Sequence, residues 1–350
     1  MGEANVFNVK YPIIQAGMAG GATSPQLVAA VSNYGGLGTI GGGYMSPENL
    51  RKAIQKVKTL TDQPFAVNLF IPEQSFTSEE VAVHSKRGME LTQPFRNRFG
   101  LTTKTIEKVQ ESFEQQFEVV LEEQVPVFSF TFGVPTDNQV AALKATGIVT
   151  CGTATTVEEA KQIEQVGIDA VVAQGSEAGG HRGSFIQSEY LPLIGTMALV
   201  PQIVDHVTIP VIAAGGIMDE RGVAASFALG ATGVQLGTAF LTTIESAAHP
   251  LHKEQLLQHN EADTDVTYAF SGKAARGIRN AFIEAHTSTR LEEIPPYPIQ
   301  NAVTQDLRKA SSEEGDWNTM SLWAGQGLRL AEQLSVEQLM QRLTKAIPHQ

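Results

Sequence analysis

The stretch AVVAQGSEAGGHRGSF (170–185) concentrates groups able to do chemistry. Ala170–Ala173 is a short apolar, β-branched run, the pattern of a strand buried on both faces. It breaks into a polar loop holding Gln174, Glu177, Gly179, Gly180 and His181. In α/β proteins ligands bind at the carboxyl ends of strands, and glycines let backbone N–H groups approach them without a Cβ in the way. His181 adds an imidazole to that rim, the side chain best suited to moving protons near neutral pH. Alone it would read as a loop or cap histidine. Two further glycine-rich strand ends downstream give it a functional setting. Glu177 either orients His181 or caps a helix.

Those two ends are AAGGI (213–217) and QLGTAF (235–240). Backbone N–H groups of Gly216, Gly237 and Thr238, with a helix N-terminus, could hold a phosphate there. Asn68, Gln174 and Gln235 lie in apolar strand runs, where an amide is costly unless hydrogen-bonded. Either backbone groups satisfy them in the core, or they meet a ligand that donates and accepts, such as the N–H and C=O edge of a flavin ring. One phosphate site and one ring site match a flavin mononucleotide, FMN.

Other chemistries have thin support. His249 and His252 are the only close histidine pair, and HPLH lacks the i, i+4 spacing of a helical metal site, so it reads as a loop and no metal site is expected. There is no G-x-S-x-G. The single cysteine, Cys151, excludes an intrachain disulfide and falls in an apolar strand as a small buried hydrophobe. Trp323 lines a pocket or sits in the core. A net charge of −12 argues against nucleic acid or an anionic membrane as partner. With no signal core or membrane-length apolar run, the expectation is a soluble cytoplasmic protein.

The elements that must position these groups alternate along the chain. Strand-like runs occur at 12–16, 37–40, 64–70, 125–132, 147–152, 170–173, 210–214 and 233–236, separated by helical segments. Ser24-Pro25 and Ser46-Pro47 read as helix starts, and Thr156 as a third cap. About eight such units predict an α/β fold, a (β/α)8 TIM barrel formed by residues 1–70 and 125–240. A doubly wound sheet is the alternative, but no G-x-G-x-x-G follows the first strand. Residues 71–124, polar and helical in pattern, are too long for a connection and predict an insertion on the barrel rim. Residues 241–350, ending in an amphipathic helix, predict an extension that packs over the barrel mouth with that insertion, as a smaller, mainly helical substrate domain.

Six segments then carry a resemblance: PIIQAGMAGGATSPQLVAAVSNYGGLGTIGGG (12–43), FAVNLF (65–70), AQGSEAGGHRGSF (173–185), VIAAGGI (211–217), GVQLGTAFL (233–241) and SLWAGQ (321–326). In order and nearly end to end, they resemble the nitronate monooxygenases, once called 2-nitropropane dioxygenases, and SLWAGQ points to their class I branch. The resemblance implies an FMN-containing barrel whose cycle uses no reducing pyridine nucleotide. It puts FMN contacts on Asn68, Gln174, Gly179, Gly180, Gly216, Gln235, Leu236, Gly237 and Thr238, with Met18 near the flavin and His181 as the catalytic histidine. Gly17 departs from the proline many relatives have before the methionine. The implied partners are O2 and a small nitronate or nitroalkane, oxidised to an aldehyde or ketone plus nitrite, and homo-oligomer formation stays open. Rivals in the same fold are FMN-dependent enoyl-acyl-carrier-protein and quinone reductases, which would use NAD(P)H. From another class, a non-catalytic flavin-binding module is the rival.

Overall fold

The computed structural model describes residues 5–186 and 190–348. The strands are β1 (Ile13–Gln15), β2 (Gly38–Gly41), β3 (Phe65–Phe70), β4 (Val127–Thr131), β5 (Val149–Ala154), β6 (Ala170–Gln174), β7 (Gly180–His181), β8 (Val211–Ala214), β9 (Gly233–Leu236), β10 (Thr264–Thr267) and β11 (Ala275–Ile278). Eight of them form one parallel sheet in the order β1-β9-β8-β6-β5-β4-β3-β2. The ends of that order meet: Ile14 bridges Leu37, the Gln15 N–H donates to the Leu37 carbonyl (2.9 Å) and the Leu37 N–H to the Ile13 carbonyl (2.9 Å). The sheet thus closes into the (β/α)8 barrel that the alternation predicts.

The helices are α1 (Pro25–Tyr34), α2 (Pro47–Lys58), α3 (Ser78–Arg98), α4 (Phe113–Glu122), α5 (Asp137–Ala145), α6 (Val157–Gln165), α7 (Thr196–Val204), α8 (Glu220–Ala228), α9 (Thr238–Leu241), α10 (Pro250–Gln258), α11 (Ala281–Ala285), α12 (Ile299–Glu313) and α13 (Val336–Leu343). Ser24 and Ser46 cap α1 and α2, their hydroxyls accepting from the Leu27 and Asn49 N–H groups, with Pro25 and Pro47 opening each helix. Thr156 caps α6 in the same way. Each such cap is worth about 1 kcal/mol.

Two boundaries differ from the sequence expectation. α4 lies within 71–124, yet it packs on α2 and β3, with Phe113, Phe117 and Val120 buried in the barrel core. It is the barrel's third helix, so the rim insertion ends before residue 113. α13 packs between α1 and α8 and closes the ring, so only the segment between β9 and α13 is inserted. Helical pattern was legible in both segments, but their place in the barrel was not, because neither helix follows its strand directly. The rim layer also holds three strands that periodicity did not reveal, β10-β11-β7, an antiparallel sheet that ties His181 to the inserted segment through the pair Ala275–His181.

Inside the barrel, Ala66, Val127, Cys151, Val172 and Ile212 form an apolar layer packed with Phe7 and Val9. Side chains two residues further along a strand point the same way. There the layer turns polar: Asn68, Ser129, Thr153 and Gln174 stand above their apolar predecessors and floor a cavity. Cys151 is therefore packing, and burial pushes its thiol up to about 12, far from a nucleophile's range.

Candidate active site

The cavity opens at the carboxyl ends of the barrel strands and has a volume of about 980 Å³, at the upper end of the ~300–1,000 Å³ of small-molecule sites. Met18, Asn68, Gln174, Gly179, Gly180, His181, Gly216, Gln235, Leu236, Gly237 and Thr238 all line it. Sequence positions up to 220 residues apart are thus one site.

The three amides divide. Gln174 spends its side chain on the loop beyond it: Nε2 donates to the His181 carbonyl (3.0 Å), and Oε1 accepts from the Gly183 N–H (2.8 Å). Asn68 donates to the Ser129 hydroxyl (3.0 Å), and its Oδ1 has no donor among the described residues. Gln235 has no side-chain partner among them at all. The Glu177 alternative resolves to a cap: its carboxylate accepts from the Thr196 N–H (2.9 and 3.0 Å) and hydroxyl (2.9 Å) at the start of α7.

The glycine-rich ends leave donors unspent. Among the described residues no acceptor reaches the N–H groups of Gly216 and Gly237. Gly216 has φ +71, a left-handed backbone that favours glycine. SLWAGQ forms the wall opposite: the Gly325 N–H donates to the Thr238 hydroxyl (2.9 Å), and Gly325 and Gly327 line the cavity.

His181 sits among groups that its own sequence neighbourhood did not announce. Phe132, Tyr297 and Trp323 surround its ring at centroid distances of 5.8, 5.9 and 5.5 Å, so Trp323 belongs to the pocket. Phe132 holds φ +76, an unfavourable conformation for a bulky residue, of the kind that concentrates at functional sites. Nε2 of His181 lies 2.8 Å from the Ser271 hydroxyl. Gly272 makes that approach possible: a Cβ there would lie 2.3 Å from the Pro295 carbonyl oxygen, in the PPYP segment that presents Tyr297. Lys273 and Arg308 add positive charge. Arg308 donates to the Asn301 backbone carbonyl (2.9 Å) and side-chain Oδ1 (2.8 Å) and has no carboxylate partner among the described residues. Burial, with Lys273 and Arg308 nearby, holds His181 down to about 3. It is neutral at physiological pH.

HPLH is not a loop: His249 caps α10, and His252 lies on that helix with Nε2 bonded to the Trp323 carbonyl (3.0 Å). Burial holds His252 down to about 4, against an ordinary value of 6.5. Between those values the unfolded chain binds the proton and the folded one does not, so stability falls as pH drops below about 6.5. At pH 5 the loss from His252 is about 2 kcal/mol. His252→Gln should therefore lose less melting temperature between pH 7 and pH 5 than the wild type does. An equal loss in calorimetry would show that His252 does not carry this effect.

Comparison with known proteins places the whole chain in a family. Residues 3–346 match the family model described as nitronate monooxygenase. A probable nitronate monooxygenase from Staphylococcus haemolyticus is 51% identical over 97% of this chain and 95% of that protein, and one from Staphylococcus aureus strain Newman is 48% identical over 98% and 96%. Among solved structures, nitroalkane oxidase from Streptomyces ansochromogenes superposes with a TM-score of 0.90 at 39% identity, covering 98% of this chain and 97% of that one. FabK from Thermotoga maritima gives 0.75 at 32% identity over 98% and 94%. With matches that run end to end and a shared barrel, the chain belongs to the nitronate monooxygenase family of flavin-dependent enzymes.

Proposed function

We propose that the protein is an FMN-dependent nitronate monooxygenase that oxidises alkyl nitronates with O2 to an aldehyde or ketone and nitrite, with His181 as the base that admits nitroalkanes. One observation carries the reading. In a single cavity a neutral histidine and an uncompensated arginine stand above a floor that includes open amide groups.

The residues present fit FMN. Free N–H groups at Gly216 and Gly237 are donors of the type a phosphate takes, and a Cβ on Gly237 would find protein atoms no nearer than 3.8 Å, which leaves a cradle beside it. Asn68 Oδ1 and the Gln235 amide supply an acceptor and a donor–acceptor pair for the polar edge of the ring. The redox chemistry from nitronate to O2 is what the flavin supplies when bound. The chain's own residues bind the anion and handle its proton. Arg308, which lines the cavity, favours the negatively charged nitronate over its neutral parent and stabilises the charge that develops as an α-proton leaves, whereas the Lys273 charge is paired with Glu73. His181, neutral and facing the cavity, receives that proton. The aromatic wall of Phe132, Tyr297 and Trp323 bounds the reacting centre. On this reading the enzyme is cytoplasmic, and the rim segments between β3 and α4 and between β9 and α13 form its substrate domain.

Arg308→Gln should raise KM for a nitronate by about 10- to 100-fold, the loss of one charge-assisted hydrogen bond of ~1.5–3 kcal/mol, with a smaller effect on kcat. An unchanged KM would remove Arg308 from substrate binding. The activity itself is tested by incubating the purified holoenzyme with propionate 3-nitronate under air. Oxygen uptake accompanied by nitrite release is expected. Neither signal, from protein carrying its full complement of flavin, would overturn the proposal.

A further inference from the structure

We infer that Ser271 is a positioning residue that fixes His181 as the Nε2–H tautomer, so that Nδ1 is the nitrogen that takes the substrate proton. The inference rests on the reading of His181 as the base. It comes from counting hydrogen bonds around one hydroxyl.

A serine hydroxyl has one proton to give and two lone pairs to offer. Ser271 is fully buried, and three groups surround its Oγ. The Lys273 carbonyl lies 3.1 Å away and can only accept. The Lys273 N–H lies 3.3 Å away and can only donate. His181 Nε2 lies 2.8 Å away and can do either, according to its tautomer. Among the described residues no other donor reaches the Lys273 carbonyl. If the hydroxyl gives its proton to that carbonyl, both lone pairs are filled, one by the Lys273 N–H and one by a proton on Nε2. All three groups are then satisfied. If the hydroxyl instead donates to Nε2, the half-buried Lys273 carbonyl loses its donor and one lone pair of the buried hydroxyl stays empty, at a cost of about 1 kcal/mol. That difference selects the Nε2–H form.

The other ring nitrogen is then bare. Nδ1 has no partner among the described residues, is not sealed from solvent, and belongs to a side chain that lines the cavity. In the proton transfer, the C–H bond α to the nitro group breaks and its electron pair moves onto the nitro oxygens, giving the nitronate. The proton binds Nδ1. No oxidant enters this step. The resulting imidazolium still donates from Nε2 to Ser271, so the serine's hydrogen bonds are the same before and after, and no hydroxyl has to turn. The placement depends on the turn Ser271-Gly272-Lys273 leading into β11, which pairs with the strand carrying His181. The proton-bearing ring and its support are thus held by one small sheet.

Nitrogen-15 NMR of imidazole-labelled holoenzyme tests this, with the His181 signals assigned by their loss in His181→Asn. The wild type should show a protonated Nε2 and an unprotonated Nδ1. Ser271→Ala should give a mixture of tautomers and lower kcat on a nitroalkane by about 10-fold or more, since the wrong tautomer presents a proton where a lone pair is needed. Its effect on a preformed nitronate should be much smaller. Ser271→Thr, which keeps the hydroxyl, should restore both the tautomer and the nitroalkane rate. A wild-type His181 protonated on Nδ1 would overturn the inference, as would an Ala variant with the tautomer and the nitroalkane rate both unchanged. The NMR signals report on the tautomer even if no nitroalkane is turned over, a result that would count against the base assignment instead.

Discussion

Replacing His181 with Asn should lower kcat/KM for a nitroalkane by about 10³-fold, while turnover of the corresponding preformed nitronate falls by less than about 10-fold. General-base catalysis contributes ~10²–10⁴-fold, and only the neutral nitroalkane needs a base. The same surroundings set the balance between the two substrates. Burial and the charges of Lys273 and Arg308 hold the imidazole down to about 3. The ring is thus always in its basic form at neutral pH, yet a poor proton acceptor. Arg308 also favours the anionic nitronate. The wild type should therefore process a preformed nitronate faster than its parent nitroalkane at pH 7, and His181 protonation should produce no acid limb in the nitronate profile above about pH 4. Steady-state oxygen uptake with both substrates measures all of this. Equal losses on both in His181→Asn would remove the base and leave the histidine as a binding group.

The second large effect concerns the cofactor. Gly237→Val should give a folded, colourless protein whose affinity for FMN is at least about 100-fold weaker. The reasoning is steric. Protein atoms come no closer than 3.8 Å to a Cβ at Gly237, the nearest being Ala16 Cβ and Met18 Sδ, so a Cβ meets only ordinary van der Waals contact there. Its methyls would fill the cradle beside the unspent N–H groups of Gly216 and Gly237. Losing two hydrogen bonds to a charged phosphate, at ~1.5 kcal/mol or more each, amounts to about 3 kcal/mol. Far-ultraviolet circular dichroism should match the wild type, and FMN titration should show the weakened binding. Wild-type affinity would move the phosphate elsewhere.

Much of this architecture is written locally. Ser-Pro pairs at 24–25 and 46–47 start helices because the hydroxyl caps N–H groups and proline needs none. Val171 and Val172 make a strand because a parallel barrel buries both its faces. The glycine ends at 215–216 and 237 are visible because loops at a barrel's mouth must let ligands approach the backbone. What stayed hidden was long-range. Ser271 is 90 residues from His181, on a hairpin of four-residue strands, TDVT and ARGI, whose periodicity is too short to read. Arg308 looks like any charge on an amphipathic helix until α12 brings it over the cavity. The place of α4 in the barrel stayed hidden because its apolar face matches α2 and β3, not its neighbours in sequence. Gln174 was visible as a buried amide, but only the fold shows that its hydrogen bonds are spent on the His181 loop.

The most direct test of the central claim compares two electron donors on one sample. The holoenzyme is mixed without oxygen with either propionate 3-nitronate or NADH, and the visible flavin spectrum is followed. The account predicts that the nitronate reduces the flavin and that NADH leaves it oxidised. Rapid bleaching by NADH, with no response to the nitronate, would contradict it and move the protein to the pyridine-nucleotide-dependent reductases of the same fold.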